Sequence, residues 1–194
     1  MKTSVKNLQQ LIVESGQNIA VDGIFGKQTS NAIDNMKVPN WLKTAMKEIG
    51  VHEILGVKHN HRILQYHEVS GGFSEDEVPW CASYVNWVML QNGYNTVKYP
   101  ARAKSWLNFG KSSIIPIVGS IAVKSRAGGG HVCFVLGAND IGELYCLGGN
   151  QNDEVNIKLY KKDVFIDFRV PTTFKNEYLP RYSVNLNGGE VKEA

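Results

Sequence analysis

The chain reads Asp76-Glu77-Val78-Pro79-Trp80-Cys81-Ala82-Ser83-Tyr84-Val85-Asn86-Trp87 where an acidic turn meets an apolar run. Pro79 favours the first turn of a helix, because its missing N–H needs no partner there, and the pattern predicts a helix over residues 79–91. Cys81 would lie near the helix N-terminus, where free N–H groups and the macrodipole favour a thiolate. The same N–H groups could hold an oxyanion, so the stretch predicts a cysteine nucleophile.

A nucleophilic cysteine needs a base, and His131 is the best candidate. It follows three glycines and opens the apolar, β-prone run of residues 131–138, which predicts a buried strand. A polar group must also orient the imidazole. Asn150, at the end of the next apolar run, is the expected partner of His131, with Gln151 as the less favoured substitute. The order Cys, His, Asn is that of papain-like proteases.

These motifs resemble those of the NlpC/P60 and CHAP superfamily of cell-wall cysteine hydrolases, and the later two resemble a small phage-associated, endolysin-like branch. The resemblance is carried by residues 77–87, 130–132 and 148–151, and it extends from about Trp41 to about Pro171. It implies a papain-like α+β fold that cleaves amide bonds in peptidoglycan. The resemblance covers both stem-peptide endopeptidases and N-acetylmuramoyl-L-alanine amidases, of which we favour the endopeptidase. The side chains expected to contact substrate are Trp80, Glu77 and Gln151.

The N-terminal segment, residues 1–38, carries a second resemblance. Residues 21–33 are similar to the signature of helical peptidoglycan-binding domains. Apolar residues before and after this signature recur at helical spacing, which predicts two short helices around a turn. About 38 residues are too few for an independent core, so we expect the segment to dock on the catalytic domain.

The remainder of the chain divides into a catalytic domain, residues 39–175, and a C-terminal tail, residues 176–194, which is expected to fray from Tyr178 onward. Helical patterns come first and strand patterns follow, which predicts an α+β domain with helices packed on an antiparallel sheet. The expected helices are residues 41–49, 60–67, 79–91 and 101–107, and the expected strands are residues 119–124, 131–138, 143–147, 155–160 and 164–170.

Composition agrees with a globular protein. The 194 residues have a net charge of +3, with 20% charged and 43% hydrophobic residues. No basic cluster indicates nucleic-acid binding, and no apolar run has the length of a membrane span. The N-terminus lacks the apolar core of a secretory signal. We therefore expect a monomer that is made in the cytoplasm and reaches the cell wall, its partner, after release.

The sequence predicts neither a disulfide framework nor a metal site. Cys133 and Cys146 lie in apolar runs and are expected to be buried core residues. The spacing of the other histidines matches no zinc site, and no acidic loop has the spacing of calcium ligands. No cofactor is expected. His61 or His67 could still replace His131 as the base.

Two other classes of function stay open. A glycosidase would use paired carboxylates, for which Glu48, Glu53, Glu68, Glu75, Asp76 and Glu77 are available. A structural role is favoured for the acidic turn, in which Asp76 or Glu77 would cap the nucleophile helix. The other class is a catalytically inactive wall-binding protein, against which the complete Cys, His and Asn set argues.

Overall fold

The computed structural model describes residues 2–56, 58–126 and 128–186. Within these residues the α-helices precede the sheet, as the sequence predicts. They are α1 (Lys2–Glu14), α2 (Lys27–Asn35), α3 (Asn40–Met46), α4 (His61–Glu68) and α5 (Cys81–Gln91). The predicted helix of residues 101–107 is instead a 3₁₀ helix, Ala103–Asn108.

The strands form one antiparallel sheet in the order β1-β6-β2-β3-β4-β5. Their bounds are β1 (Lys111–Ser112), β2 (Ile121–Arg126), β3 (Gly129–Ala138), β4 (Leu144–Gly148), β5 (Asn156–Tyr160) and β6 (Phe165–Val170). The predicted α+β class is confirmed, and so is the packing of helices on an antiparallel sheet. The central strand β3 pairs with β2 on one side and β4 on the other.

Helix α5 is buried from Cys81 through Met89, because its sequence is apolar on all sides. It packs against β3 on one side and against α3 and α4 on the other. Tyr84 of α5 meets Phe134 of β3 edge to face, with ring centroids 6.1 Å apart. This packing fixes the N-terminus of α5, and with it Cys81, against the start of β3.

The N-terminal segment does not have a core of its own. Leu8 and Ile12 of α1 belong to the same hydrophobic cluster as Val155 and Ile157 beside and within β5. The Ser4 hydroxyl donates to a carboxylate oxygen of Glu154 at 2.9 Å. Within residues 2–38, α1 therefore packs on the sheet beside β5 as part of the main core.

Residues 178–186 pack on the rest of the chain, so the prediction that the tail frays from Tyr178 is wrong for these residues. Tyr182 and Val184 are buried in the main core. The backbone of Ala138 donates to Pro180 and accepts from Tyr182, both at 2.9 Å. The Tyr182 ring occupies space that a side chain at Gly137 would fill, since a Cβ there would lie 2.5 Å from it. Residues 187–194 lie outside the described residues.

Candidate active site

Cys81 is the first residue of α5, and Trp80 occupies the N-cap position. The helix therefore starts two residues later than the sequence predicts, with Pro79 ahead of the cap. The Cys81 side chain is 7% exposed, and the backbone N–H of Val132 in β3 is close enough to lower the pKa of its thiol. The thiol is thus held between the end of a helix and the start of the strand that carries His131.

The buried environment of Cys81 opposes the thiolate that the sequence predicts. Burial raises the pKa of Cys81. Smaller effects lower it: the charge of Arg126 and the backbone N–H groups of Val132, Ala82 and Cys81 itself. The helix N-terminus acts in the expected direction, but desolvation outweighs it. Burial thus favours the neutral thiol over the thiolate.

His131 lies at the start of β3 and is 2% exposed. Its Nε2 lies 3.2 Å from Oε1 of Gln151. The Tyr160 hydroxyl donates to the same oxygen at 3.0 Å, and Gln151 Nε2 donates to the carbonyl of Asn156 at 2.8 Å. Gln151 is fully buried. Its amide is therefore fixed at both ends, and it holds the imidazole by one nitrogen.

The orienting residue is Gln151 and not Asn150, which corrects the prediction. Asn150 has a φ of +53°, a left-handed conformation that asparagine tolerates in turns. The chain leaves β4 through this turn, and the next side chain, Gln151, reaches His131. The Asn150 Oδ1 is buried and has no hydrogen-bond partner among the described residues.

Trp80 is also placed differently from the prediction, because its indole is fully buried and cannot contact a substrate. Its Nε1 donates to Glu53 Oε1 at 2.7 Å. The ring lies against Gly149, where a Cβ would be 2.6 Å from it. Trp80 therefore anchors the nucleophile segment in the core. Glu77 is exposed, so a contact between its carboxylate and substrate stays a prediction.

Glu53 is a residue near the site that its sequence context does not single out. Burial raises the pKa of its carboxyl group, and the nearby carboxylates of Asp153, Asp76 and Glu77 raise it further, although the Trp80 bond lowers it. No local pattern marks Glu53, since its environment comes from the turn at residue 76 and the loop at residue 153.

The acidic turn supports a loop and does not cap the nucleophile helix. The buried carboxylate of Asp76 accepts from the backbone of Ile54 at 3.0 Å and of Asn60 at 2.8 Å, and from His59 Nδ1 at 3.0 Å. Helix α5 has no side-chain cap, so the capping role predicted for Asp76 or Glu77 is wrong. Asp76 instead ties residues 54–60 to the segment that leads into Cys81.

The other histidines do not occupy the position of the base. His67 is buried, with Nδ1 3.2 Å from the Ser83 hydroxyl, and His61 is exposed at the start of α4. Among the described residues, no group of three or more His, Cys, Asp or Glu side chains could hold a metal ion. Cys133 and Cys146 are free, buried thiols in neighbouring strands.

The geometry suits acyl transfer. Cys81 offers a sulfur nucleophile beside N–H groups that can bind an oxyanion. His131 carries an imidazole whose Nε2 lies 3.2 Å from Gln151 Oε1, which leaves Nδ1 for a second partner. The nucleophile and the base come from α5 and β3, which pack directly on one another.

A family model described as the CHAP domain matches residues 73–150. The matched range contains Cys81, His131 and Asn150, and it ends one residue before Gln151. No curated protein and no solved structure matches the chain. No helix within the described residues is both long and apolar enough to cross a membrane.

Proposed function

We propose that this chain, which carries a CHAP domain at residues 73–150, is a peptidoglycan hydrolase that uses Cys81 to cleave amide bonds of the cell wall. The observation that supports the proposal most is the pairing of two elements. The thiol at the start of α5 contacts Val132, and the adjacent His131 is oriented by Gln151.

The reaction begins with a neutral thiol, because burial raises the pKa of Cys81. His131 accepts the thiol proton on Nδ1, the ring nitrogen that does not face Gln151, as the sulfur attacks the amide carbonyl. The backbone N–H of Cys81 stabilises the oxyanion. His131 then protonates the leaving amine, and a water activated by the same imidazole hydrolyses the thioester. The products are a carboxylic acid, an amine and the restored thiol.

Gln151 acts by position rather than by proton transfer. Its Oε1 accepts hydrogen bonds from the Nε2–H of His131 and from the Tyr160 hydroxyl, and its Nε2 donates to the Asn156 carbonyl. This arrangement favours the tautomer that leaves Nδ1 free to accept the thiol proton. It also stabilises the imidazolium that forms during attack.

Within this class we favour an endopeptidase that cuts between stem-peptide residues, acting as a monomer on the wall after release from the cell, as an endolysin does. An N-acetylmuramoyl-L-alanine amidase with the same three residues is the second candidate. The assembled His131–Gln151 pair favours both over an inactive wall-binding protein.

The test is mass spectrometry of purified peptidoglycan digested by wild-type protein, Cys81→Ala and Cys146→Ala. Cys146 is a buried thiol in β4, so its variant controls for the loss of a cysteine away from the site. We expect new amino termini within the stem peptide for wild type and Cys146→Ala, and none for Cys81→Ala. Intact stem peptides freed from muramic acid would indicate the amidase. New reducing sugar ends, or full lysis by Cys81→Ala, would contradict the cysteine mechanism.

A further inference from the structure

A cavity of about 400 Å³ opens beside the segment that leads into α5. One wall contains Phe73, Val78 and Pro79, and the opposite wall contains residues 98–102. Pro79 is two residues from Cys81. On the other side, the wall continues into Ala103, which lies against Gly130: a Cβ on that glycine would be 3.4 Å from the Ala103 side chain. The cavity therefore lies beside the segment that leads into Cys81 and beside the segment that leads into Ala103, the neighbour of Gly130.

The charged groups of this cavity are both cations. Lys98 and Arg102 lie over Tyr99, with Nζ 5.3 Å and Cζ 4.9 Å from the ring centroid. The ring holds both side chains by cation–π contacts and leaves their N–H groups able to donate. The described residues that line the cavity include no carboxylate, and no described ion pair involves either cation.

Apolar surface accompanies the cations. Tyr99 is 49% exposed and Phe73 is 40% exposed, and prolines 79 and 100 complete the lining. Rings and prolines form a rigid surface for the aliphatic part of a ligand. The cavity thus combines donors for an anionic group with contacts for a short carbon chain.

Acidic residues lie elsewhere around the segment that leads into Cys81. Glu53 lies close enough to Asp76, Glu77 and Asp153 for these carboxylates to raise its pKa. A ligand with a carboxylate is repelled by this acidic group and attracted by Lys98 and Arg102. Such a charge separation orients a ligand and suppresses the reversed binding mode.

We infer that the cavity is a substrate subsite that binds a free carboxylate of the wall peptide close to the scissile amide. Arg102 and Lys98 are the specificity-determining residues, while Tyr99 and Phe73 pack against the adjoining carbon chain. The inference rests on the proposed function and adds a substrate class to it. Stem peptides carry side carboxylates that are free in some walls and amidated in others, so the enzyme should discriminate between these walls.

The experiment compares two synthetic stem peptides that differ only in one side group, a free carboxylate or a primary amide. We expect wild-type protein to prefer the carboxylate peptide. Arg102→Gln combined with Lys98→Gln should raise KM for that peptide about tenfold, the effect of losing a hydrogen bond to a charged group. KM for the amide peptide and kcat for both should change little. Added salt should weaken only the carboxylate reaction, since the interaction is screened.

Lys162→Gln is the matched control, because this lysine lines a separate cavity beside β6. It should leave the preference unchanged. Equal loss on both peptides in the double variant, or no preference in the wild type, would overturn the inference. If wild-type protein cleaves neither peptide nor polymeric peptidoglycan, the proposed function fails instead. Calorimetric titration of Cys81→Ala with each peptide then tests the subsite alone, and equal affinities would refute it.

Discussion

Replacing Gln151 tests the geometry of the site directly, because this side chain is the described partner of His131. Gln151→Met keeps the approximate volume and removes both polar ends. In the transition state the bond from the imidazolium becomes charge-assisted, and such a bond contributes about 1.5–3 kcal/mol. At about 1.36 kcal/mol per factor of ten, kcat should fall roughly 10- to 150-fold. KM should change little, since Gln151 is fully buried.

The same substitution should also reduce stability. It leaves the Tyr160 hydroxyl and the Asn156 carbonyl without the contacts that Gln151 provides at 3.0 and 2.8 Å. The loss of these two hydrogen bonds should cost about 1–3 kcal/mol of unfolding free energy, at about 0.5–1.5 kcal/mol each, which urea unfolding would measure. The kinetic assay must therefore be run well below the melting temperature of the variant.

The matched control is Asn150→Gly at the neighbouring position. Glycine adopts the φ of +53° found there without strain, so this variant removes the amide and keeps the turn. It should retain most of its activity when released ends are counted by mass spectrometry on purified peptidoglycan. The assignment of Gln151 is refuted if Asn150→Gly is as inactive as Cys81→Ala while Gln151→Met retains the wild-type kcat.

Three further outcomes follow from burial and packing. Because burial raises the pKa of Cys81, its alkylation by iodoacetamide should accelerate up to and beyond about pH 8.5, the ordinary thiol pKa; a rate already constant at neutral pH would indicate a resting thiolate. Burial lowers the pKa of His67 in the folded protein, so between that pKa and about pH 6.5 the unfolded chain binds more protons at this residue, and the unfolding free energy decreases as the pH is lowered. His67→Gln should make the unfolding free energy less dependent on pH in this range, which urea titrations at several pH values would measure. An unchanged slope would contradict the assignment. A Cβ at Gly149 would lie 2.6 Å from the Trp80 ring, so Gly149→Ala should lower the unfolding free energy by about 3 kcal/mol. The control is Gly26→Ala, whose added Cβ would have nothing within 4 Å and which should lower it by no more than about 1 kcal/mol. Equal losses of stability in thermal melts would show that the contact with Trp80 does not matter.

The elements that the sequence predicts well are those whose pattern is local. The apolar run that predicts a strand over residues 131–138 corresponds to β3, Gly129–Ala138, and the nucleophile helix is in error only at its start. Proline is compatible with the first turn of a helix and also with the residues before its cap, so Pro79 does not fix the boundary. The two-residue strand β1 exists through its pairing with β6 and has no pattern of its own.

The details of the site were less predictable because distant residues create them. The Trp80 indole can be buried because Glu53 accepts its N–H and because Gly149 leaves room for its ring. Neither residue is near Cys81 in the sequence. The choice between Asn150 and Gln151 had a usable signal. Asparagine after two glycines is typical of a turn, which favours the following residue as the one whose side chain returns to the sheet.

The bond between α1 and Glu154 bears on how this protein can be rearranged. The Ser4 hydroxyl donates to the Glu154 carboxylate. The backbone carbonyl of Glu154 in turn accepts a hydrogen bond from the backbone N–H of Gln151 at 3.1 Å. The N-terminal helix thus supports the turn whose Gln151 side chain contacts His131. Under the function proposed above, cutting the chain at residue 38 should therefore lower activity by loosening the turn beside His131, and not only by separating the N-terminal segment.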